Sequence, residues 1–308
     1  MKAVVPEHIR YAARLQSAHV RTHGVWSTLG LNAMWTRAVV RNALGRRRYR
    51  TLSEAELRAA RRSDTVFIFG SGGSLNELAA SEWQHFARHD VFGFNLFYFQ
   101  QWIPVGFQLL RGTYYGDRRW RAYASEVADA IRTNPHFADT IAILQQEYTA
   151  ELGNTLVGCG LLPRRTRVFR YRTARAAGPP TRTFREGLRH TAGTLCDAVN
   201  CAYVLGWRRI VLVGVDLYDS RYFFLPADKT LGVDPVTGRT TAVGANQWRG
   251  NRSSQPHNTV QIGIVDVMKS WRSILAGDGV ELYVYNPRSL LADVLPVYGD
   301  AHRILTLA

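Results

Sequence analysis

The stretch Thr65-Val-Phe-Ile-Phe-Gly-Ser-Gly-Gly-Ser-Leu75 decides the fold of this chain. Its strand-forming residues Val66 to Phe69 run directly into a turn that contains three glycines. Ser74, followed by Glu77, has the spacing of a capping box, which predicts that a helix begins near Ser74. A strand, a glycine turn and a helix N-terminus form an anion-binding corner, because the glycines bring the backbone close to a phosphate. We therefore expect a phosphate-bearing ligand beside this turn.

The rest of the chain alternates strands with helices. The clearest unit is a helix from Thr191 to Gly206, followed by a strand from Arg209 to Asp216 that reads as buried on both faces, as in parallel sheets. Residues 219–258 are polar and glycine-rich without periodicity, which predicts a lid loop. An amphipathic helix is expected over 260–275, and another helix after Ser289. The pattern predicts an α/β fold with a doubly wound, mostly parallel, Rossmann-like sheet that binds ligands at the carboxyl ends of its strands.

A basic leader precedes this unit. The net charge of the 308 residues is +15, and residues 1–64 carry thirteen Lys or Arg against four Asp or Glu, a balance of +9. Residues 24–50 repeat apolar residues at helical spacing among arginines, and Trp26 and Trp35 lie beside those arginines. The repeat consists of Leu31, Met34, Trp35, Ala38, Val39 and Leu44. This pattern favours either a helix on a membrane surface or a helix packed on the domain with a solvated basic face. We predict a helical leader over 1–64 and one domain over 65–308, which includes the lid.

Composition narrows the location of the protein. The sequence has no apolar run of roughly 18 residues, the length that would span a bilayer, and its start lacks the apolar stretch of a secretory signal. Its three cysteines have no metal-binding spacing, so they are expected to be buried thiols in a reducing compartment. A cytoplasmic protein is predicted, with peripheral contact to the inner membrane face through 24–50 left open.

The glycine turn does not carry the fingerprint of a dinucleotide site. Leu75 occupies the place of the third glycine, and the second strand ends at Asn95 instead of at an acidic residue that would hold a ribose. An NAD-dependent enzyme is therefore not expected. The amide of Asn95 can both donate and accept hydrogen bonds with a ribose or a base.

Four further residues are candidates for chemistry. Asp216 and Tyr218 end the best-defined strand, and Tyr222 follows four residues later. His257 follows a proline at a predicted helix start, and histidine is the usual general base near neutral pH. The alternatives are a capped loop for the first group and an exposed loop histidine for His257.

Together these motifs resemble the bacterial sialyltransferases that decorate lipooligosaccharide, and related transferases that use CMP-activated nonulosonic acids. The resemblance covers roughly residues 65–295 and rests on the order of short motifs. They are the turn Gly70 to Leu75, Asn95 to Phe99, Gly214 to Tyr218, Tyr222, His257-Asn258, and Asn286 to Ala292. The family commonly has Asn and Pro in the first turn, where this chain has Ser71 and Gly73.

The resemblance implies a metal-independent glycosyltransferase of the GT-A-like type, with a CMP-sugar as donor and no cofactor. His257 would deprotonate the acceptor hydroxyl, and Tyr218 and Tyr222 would stabilise the departing CMP phosphate as the anomeric carbon inverts. The residues implied in nucleotide binding are Gly70, Ser71, Gly72, Ser74, Asn95, Thr191 and Thr194. The implied acceptor is a glycan or glycolipid of lipopolysaccharide or capsule biosynthesis.

Two other hypotheses about the function stay open at this point. Related transferases that add Kdo from CMP-Kdo retain configuration, and use an Asp at such a strand end as nucleophile, which would be Asp216. A non-catalytic protein that binds anions or membranes would explain the basic leader but not the ordered motifs. Nucleic acid is not an expected partner, and a homo-oligomer stays open.

Overall fold

One eight-stranded, wholly parallel sheet forms the centre of the molecule. The computed structural model describes residues 48–112, 120–146, 152–174, 178–218, 221–226, 229–233, 240–244 and 256–299, with scattered positions between Ala13 and Val40. The strands are β1 (Arg50–Thr51), β2 (Thr65–Phe69), β3 (Asp90–Phe94), β4 (Phe107–Leu110), β5 (Ile141–Gln145), β6 (Arg167–Tyr171), β7 (Arg209–Val213), β8 (Lys229–Val233), β9 (Thr240–Gly244) and β10 (Glu281–Val284). The sheet order is β1-β6-β5-β4-β3-β2-β7-β10, and β8 and β9 form a separate antiparallel ribbon.

Helices cover both faces of this sheet. They are α1 (Glu54–Ala59), α2 (Ala80–Ala87), α3 (Trp120–Thr133), α4 (Leu152–Gly158), α5 (Thr194–Leu205), α6 (Asn258–Gln261) and α7 (Ile264–Gly277). Val66 and Ile68 of β2 face the core layer that contains α1, α5 and α7. Phe67 and Phe69 face the opposite layer, with α2, α3 and α4. Successive side chains of a strand point to opposite faces, so a continuous apolar run is what a strand between two helical layers requires.

The direction of winding reverses between β2 and β7. From β2 the chain adds β3, β4, β5 and β6 in order along one side, and α5 then returns it to β7 on the other side of β2. At such a reversal the loops that follow the two strands separate and leave a crevice at their carboxyl ends. The α/β fold predicted from the sequence is confirmed, and the main sheet is parallel throughout.

The first turn differs from the prediction. No α-helix begins at Ser74: residues Gly73–Glu77 form a 3₁₀ turn, and α2 begins at Ala80. Ser74 cannot cap a helix because its amide and hydroxyl both donate to Asp216, and Glu77 pairs with Arg288. The predicted capping box is therefore wrong.

The bounds of several other elements also differ from those predicted from the sequence. The helix expected over 260–275 is divided at Gly263, whose φ of +88° interrupts it between α6 and α7. The helix expected from Thr191 begins at Thr194, after Gly193, and turns follow Ser289 in place of a helix. Part of the predicted lid, 219–258, forms the β8–β9 ribbon, and much of the remainder lies outside the described residues.

The sheet begins before residue 65, the boundary expected from the sequence. β1 pairs with β6, and Leu57 of α1 is fully buried in the core. The apolar stripe predicted within 24–50 lies largely outside the described residues. Within the described part of the chain, no helix has both the length and the apolar character needed to cross a membrane.

Candidate functional site

A cavity occupies the crevice where the winding reverses. The glycine turn after β2, Asn95 after β3 and the segment after β7 form its floor, and α5 and α6 present their N-terminal ends to it. Its lining consists of Gly70, Ser71, Gly72, Phe94, Asn95, Ala192, Thr194, Leu195, Gly214, Val215, Asp216, Leu217, Arg221, Tyr222, His257, Thr259 and Ile264. Carboxyl ends of strands and helix N-termini thus converge on one space, as expected for an anionic ligand in an open α/β sheet.

Asp216 ties three segments of the chain together under this cavity. Its Oδ2 accepts from the Ser74 amide at 2.9 Å, and its Oδ1 accepts from the Ser74 hydroxyl at 2.5 Å and from Asn286 Nδ2 at 3.0 Å. The residue is only 4% exposed. A carboxylate offers about four acceptor positions, and three donors already engage this one.

Two glycines of the turn are required by the strand beside them. A Cβ on Gly72 would lie 2.4 Å from Asp216 Oδ2, and one on Gly70 would lie 2.6 Å from the Gly214 carbonyl oxygen. Gly72 also donates its amide to that carbonyl at 2.8 Å. The glycines therefore serve first to bring β2 and β7 loops into contact, a role that the phosphate-cradle interpretation did not include.

His257 lies at the start of α6, where its backbone amide donates to the Leu217 carbonyl at 2.9 Å. Its Nδ1 lies 2.8 Å from Thr259 Oγ1. Burial lowers the pKa of His257 below its ordinary value of 6.5, so the imidazole is neutral at pH 7. The Thr259 amide also donates to Nδ1 at 3.3 Å, so the side chain caps α6 with Nδ1 as acceptor and the ring proton on Nε2. A general base at Nε2 requires the other tautomer, in which Nδ1–H donates to Thr259 Oγ1 and Nε2 carries the free lone pair.

The cavity is bordered by strained backbone. Asn95 and Leu217 have φ values of +51° and +64°, which side-chain-bearing residues rarely adopt. Asn95 is held by Gln108, whose Nε2 donates to the Asn95 carbonyl at 3.1 Å, and Leu217 is held by His257. Such strain persists where the surroundings fix it, and it concentrates at functional sites.

The start of the predicted lid is anchored to the glycine turn. Tyr222 forms a β-bridge with Gly72, and Phe223 donates its amide to the Ser71 carbonyl at 3.3 Å. Asn76 Nδ2 donates to the Phe223 carbonyl at 2.8 Å. These bonds hold Tyr222 and its neighbour Arg221 at the rim of the cavity.

Eight of the predicted site residues line this cavity, and three do not. The eight are Gly70, Ser71, Gly72, Asn95, Thr194, Asp216, Tyr222 and His257. The three outside the lining are Ser74, Tyr218 and Thr191. Ser74 binds Asp216 beneath the cavity. The ring of Tyr218 lies beside Arg288, whose guanidinium carbon is 6.0 Å from the ring centroid. Sequence reasoning missed Arg221 and Thr259 because each belongs to a segment without periodicity.

A second group of buried polar residues was also missed. Asp197, fully buried in the first turn of α5, accepts from Arg111 at 2.9 Å and from the Tyr171 hydroxyl at 3.2 Å, and it contacts His190 Nδ1. Burial, with Asp197 beside it, raises the pKa of Tyr171 well above its ordinary value, so the phenol stays protonated. An acidic residue inside an otherwise apolar helix was the sequence signal for this group.

No cluster of three or more histidine, cysteine or acidic side chains suited to a metal occurs within the described ranges. Comparison with known proteins places the chain in no family, since no protein-family model matches it and no curated protein matches it either.

Proposed function

We propose that this protein is a glycosyltransferase that moves a sialic acid, or a related nonulosonic acid, from a CMP-activated donor to a glycan hydroxyl. One observation carries the proposal. Five separate segments, represented by the glycine turn, Asn95, Asp216, Tyr222 and His257, line a single cavity at the reversal of the sheet. The motif order that resembles the CMP-sugar transferases draws on these same segments.

Inversion at the anomeric carbon is the proposed course of the reaction. Neutral His257 takes the proton from the acceptor hydroxyl as that oxygen attacks the anomeric carbon. The bond from that carbon to the phosphate oxygen breaks, and CMP leaves with the electron pair. In this proposal the departing phosphate is stabilised by Tyr222, Arg221 and the N-terminus of α5, all of which line the cavity. Tyr218 is left out of this step because it does not line the cavity.

Retention through Asp216 is the alternative within the same class. The carboxylate does line the cavity, at the end of the best strand. However, three hydrogen bonds engage it, and a nucleophile has to present a lone pair to the sugar. We therefore assign Asp216 to positioning the glycine turn, and His257 to catalysis.

The test is to incubate the purified protein with CMP-sialic acid, CMP-Kdn and CMP-Kdo and to measure CMP release. We expect release from at least one nonulosonic donor, accelerated by an acceptor glycan, and a product of inverted configuration by NMR. A retained anomer would support Asp216 as the nucleophile. Failure of CMP to raise the unfolding temperature would contradict a CMP site altogether, and would favour the non-catalytic anion-binding alternative.

Two further assignments belong to the same proposal. The acceptor is a glycan or glycolipid of lipopolysaccharide or capsule biosynthesis, and the reaction takes place in the cytoplasm. Cys159, Cys196 and Cys201 are all free thiols, which supports a reducing compartment.

A further inference from the structure

The described residues before β1 form two helical segments that fold back on each other. All of those between Ala13 and Val40 are helical. The side-chain amides of Gln16 and Asn32 exchange two hydrogen bonds, of 2.8 and 3.0 Å. In one straight helix these residues would be about 24 Å apart, so the chain reverses between them. Gly24 lies midway, and its φ of +82° is the left-handed conformation that a reversal can use.

The second segment carries a largely apolar row of exposed residues. Val25, Leu29 and Val40 are 56%, 52% and 49% exposed, and the exposed residues Ala33 and Thr36 continue the same row. At 100° per residue, the five positions fall within about 80° of one helix face. Trp26, at 86% exposure, borders that row. We call this surface, Val25, Trp26, Leu29, Ala33, Thr36 and Val40, the outer stripe.

The described residues that are least exposed in this pair are polar. Thr28 is buried, with its hydroxyl on the Gly24 carbonyl at 2.9 Å, and Asn32 pairs with Gln16 across the two segments. An amphipathic helix on a globular domain normally turns its apolar row away from water. The outer stripe therefore needs an apolar environment that the described part of the chain does not supply.

Exposed apolar side chains are concentrated here. Of the six large hydrophobic residues that are exposed in the described part of the chain, five are Val20, Val25, Trp26, Leu29 and Val40, and the sixth is Ile262. Scattered exposed hydrophobics are normal on a protein surface, but a contiguous group marks an interaction site.

The positive charge of the N-terminal segment indicates which class of partner covers the outer stripe. Residues 1–50 contain ten Lys or Arg and a single acidic residue, Glu7. A second copy of the chain would bring two such positive segments together, and a nucleic acid would match the charge but leave the outer stripe in water. An anionic lipid surface satisfies both features, because its phosphates attract arginines and its headgroup layer accepts tryptophan and aliphatic side chains.

We propose that the outer stripe docks on the surface of a bilayer that contains anionic phospholipids, with Trp26 and Leu29 entering the headgroup layer. The helical pair lies on the membrane without crossing it. This inference does not depend on the reaction that the cavity carries out.

The test is flotation of the full-length protein with vesicles of phosphatidylcholine alone or mixed with phosphatidylglycerol. We expect binding to the anionic vesicles only, weakened by high salt. The double variant Trp26→Ser/Leu29→Ser should lower the bound fraction at least about fivefold, since it removes the two most extensive apolar contacts. Ile262→Ser, which removes an apolar side chain 60% exposed outside the leader, is the matched control and should bind like the wild type.

Circular dichroism and thermal unfolding establish that the variants fold, which the exposure of both side chains leads us to expect. Equal binding of the double variant and the wild type to anionic vesicles would overturn the proposal, as would a lack of binding by the wild type. If the double variant instead converts an oligomer to a monomer in light scattering, the outer stripe is a subunit interface and the lipid assignment is wrong.

Discussion

His257 is the residue on which the proposed chemistry depends. Replacing it with Gln keeps a polar group of similar size but removes the base, so we expect transfer to fall by about 10² to 10⁴-fold, the usual contribution of general base catalysis. CMP binding should persist in a thermal-shift measurement, because the change leaves the glycine turn intact. Thr259→Val removes only the Oγ1 contact to Nδ1, so its transfer rate should lie between those of the wild type and His257→Gln. Unchanged CMP release from His257→Gln would exclude this role.

The pH dependence of transfer should follow the same imidazole. Burial lowers its pKa below 6.5, and the protonated form cannot act as a base. We therefore expect kcat/KM to rise with pH on an acid limb below 6.5 and then to level off. The profile is measured as the initial rate of CMP release, under conditions where that rate is proportional to the enzyme concentration. A profile that stays flat through this range would contradict the assignment, and residual activity of His257→Gln should lack the acid limb.

At the scale of elements, the glycine turn joins β2 to β7. Gly72→Ala places a methyl group 2.4 Å from Asp216 Oδ2, whereas the nearest atom to a Cβ on Gly73 is Arg221 Cβ at 3.3 Å. We expect Gly72→Ala to lower the free energy of unfolding by about 1–3 kcal/mol, and Gly73→Ala to cost less, because overpacking rises steeply with overlap. Urea unfolding of the two variants provides the comparison. Equal losses would show that the close approach to Asp216 is not what requires Gly72.

The buried group around Asp197 connects β4, β6 and α5. Asp197→Ala leaves the Arg111 guanidinium, whose side chain is 11% exposed, without its carboxylate, so we expect a loss of about 3–5 kcal/mol in the free energy of unfolding. The half-exposed pair between Arg58 and Glu54 is the control, and Glu54→Gln should cost at most about 1 kcal/mol. If Asp197→Ala lowers the free energy of unfolding no more than Glu54→Gln does, the buried ion pair does not stabilise the fold.

The limits of sequence reasoning are clearest at this scale. The strands were predictable because parallel strands between two helical layers are continuous apolar runs, as in β2 and β7. The 3₁₀ turn at Ser74 was not predictable, because the partner of the Ser74 hydroxyl is Asp216, 142 residues later in the chain. The left-handed backbone of Leu217 and the pairing of Arg111 with Asp197 likewise depend on tertiary contacts that no local pattern contains. The lining residues found from sequence are mainly those that directly follow strands.

At the scale of the whole molecule, the fold begins at β1 and not at residue 65. Deleting residues 1–47 removes none of the described strands, so we expect the unfolding temperature and CMP binding to be kept. Deleting residues 1–62 also removes β1 and Leu57, which is 0% exposed, and should lower the unfolding temperature markedly or prevent folding. Both shortened chains are compared by thermal unfolding. An equally stable shorter chain would place the edge of the domain at β2.

The three hydrogen bonds to the Asp216 carboxylate also affect the order in which parts of the protein mature during its synthesis. Ser74 leaves the ribosome 142 residues before Asp216, and Asn286 follows another 70 residues later. Pairings between such distant segments form slowly, because long loops have to close first. The carboxylate lacks its last donor until Asn286 has been made, so the cavity floor is completed only after all eight strands of the main sheet have been synthesised. A chain that stopped before Asn286 would contain every strand of the main sheet but would lack one of the three donors to Asp216.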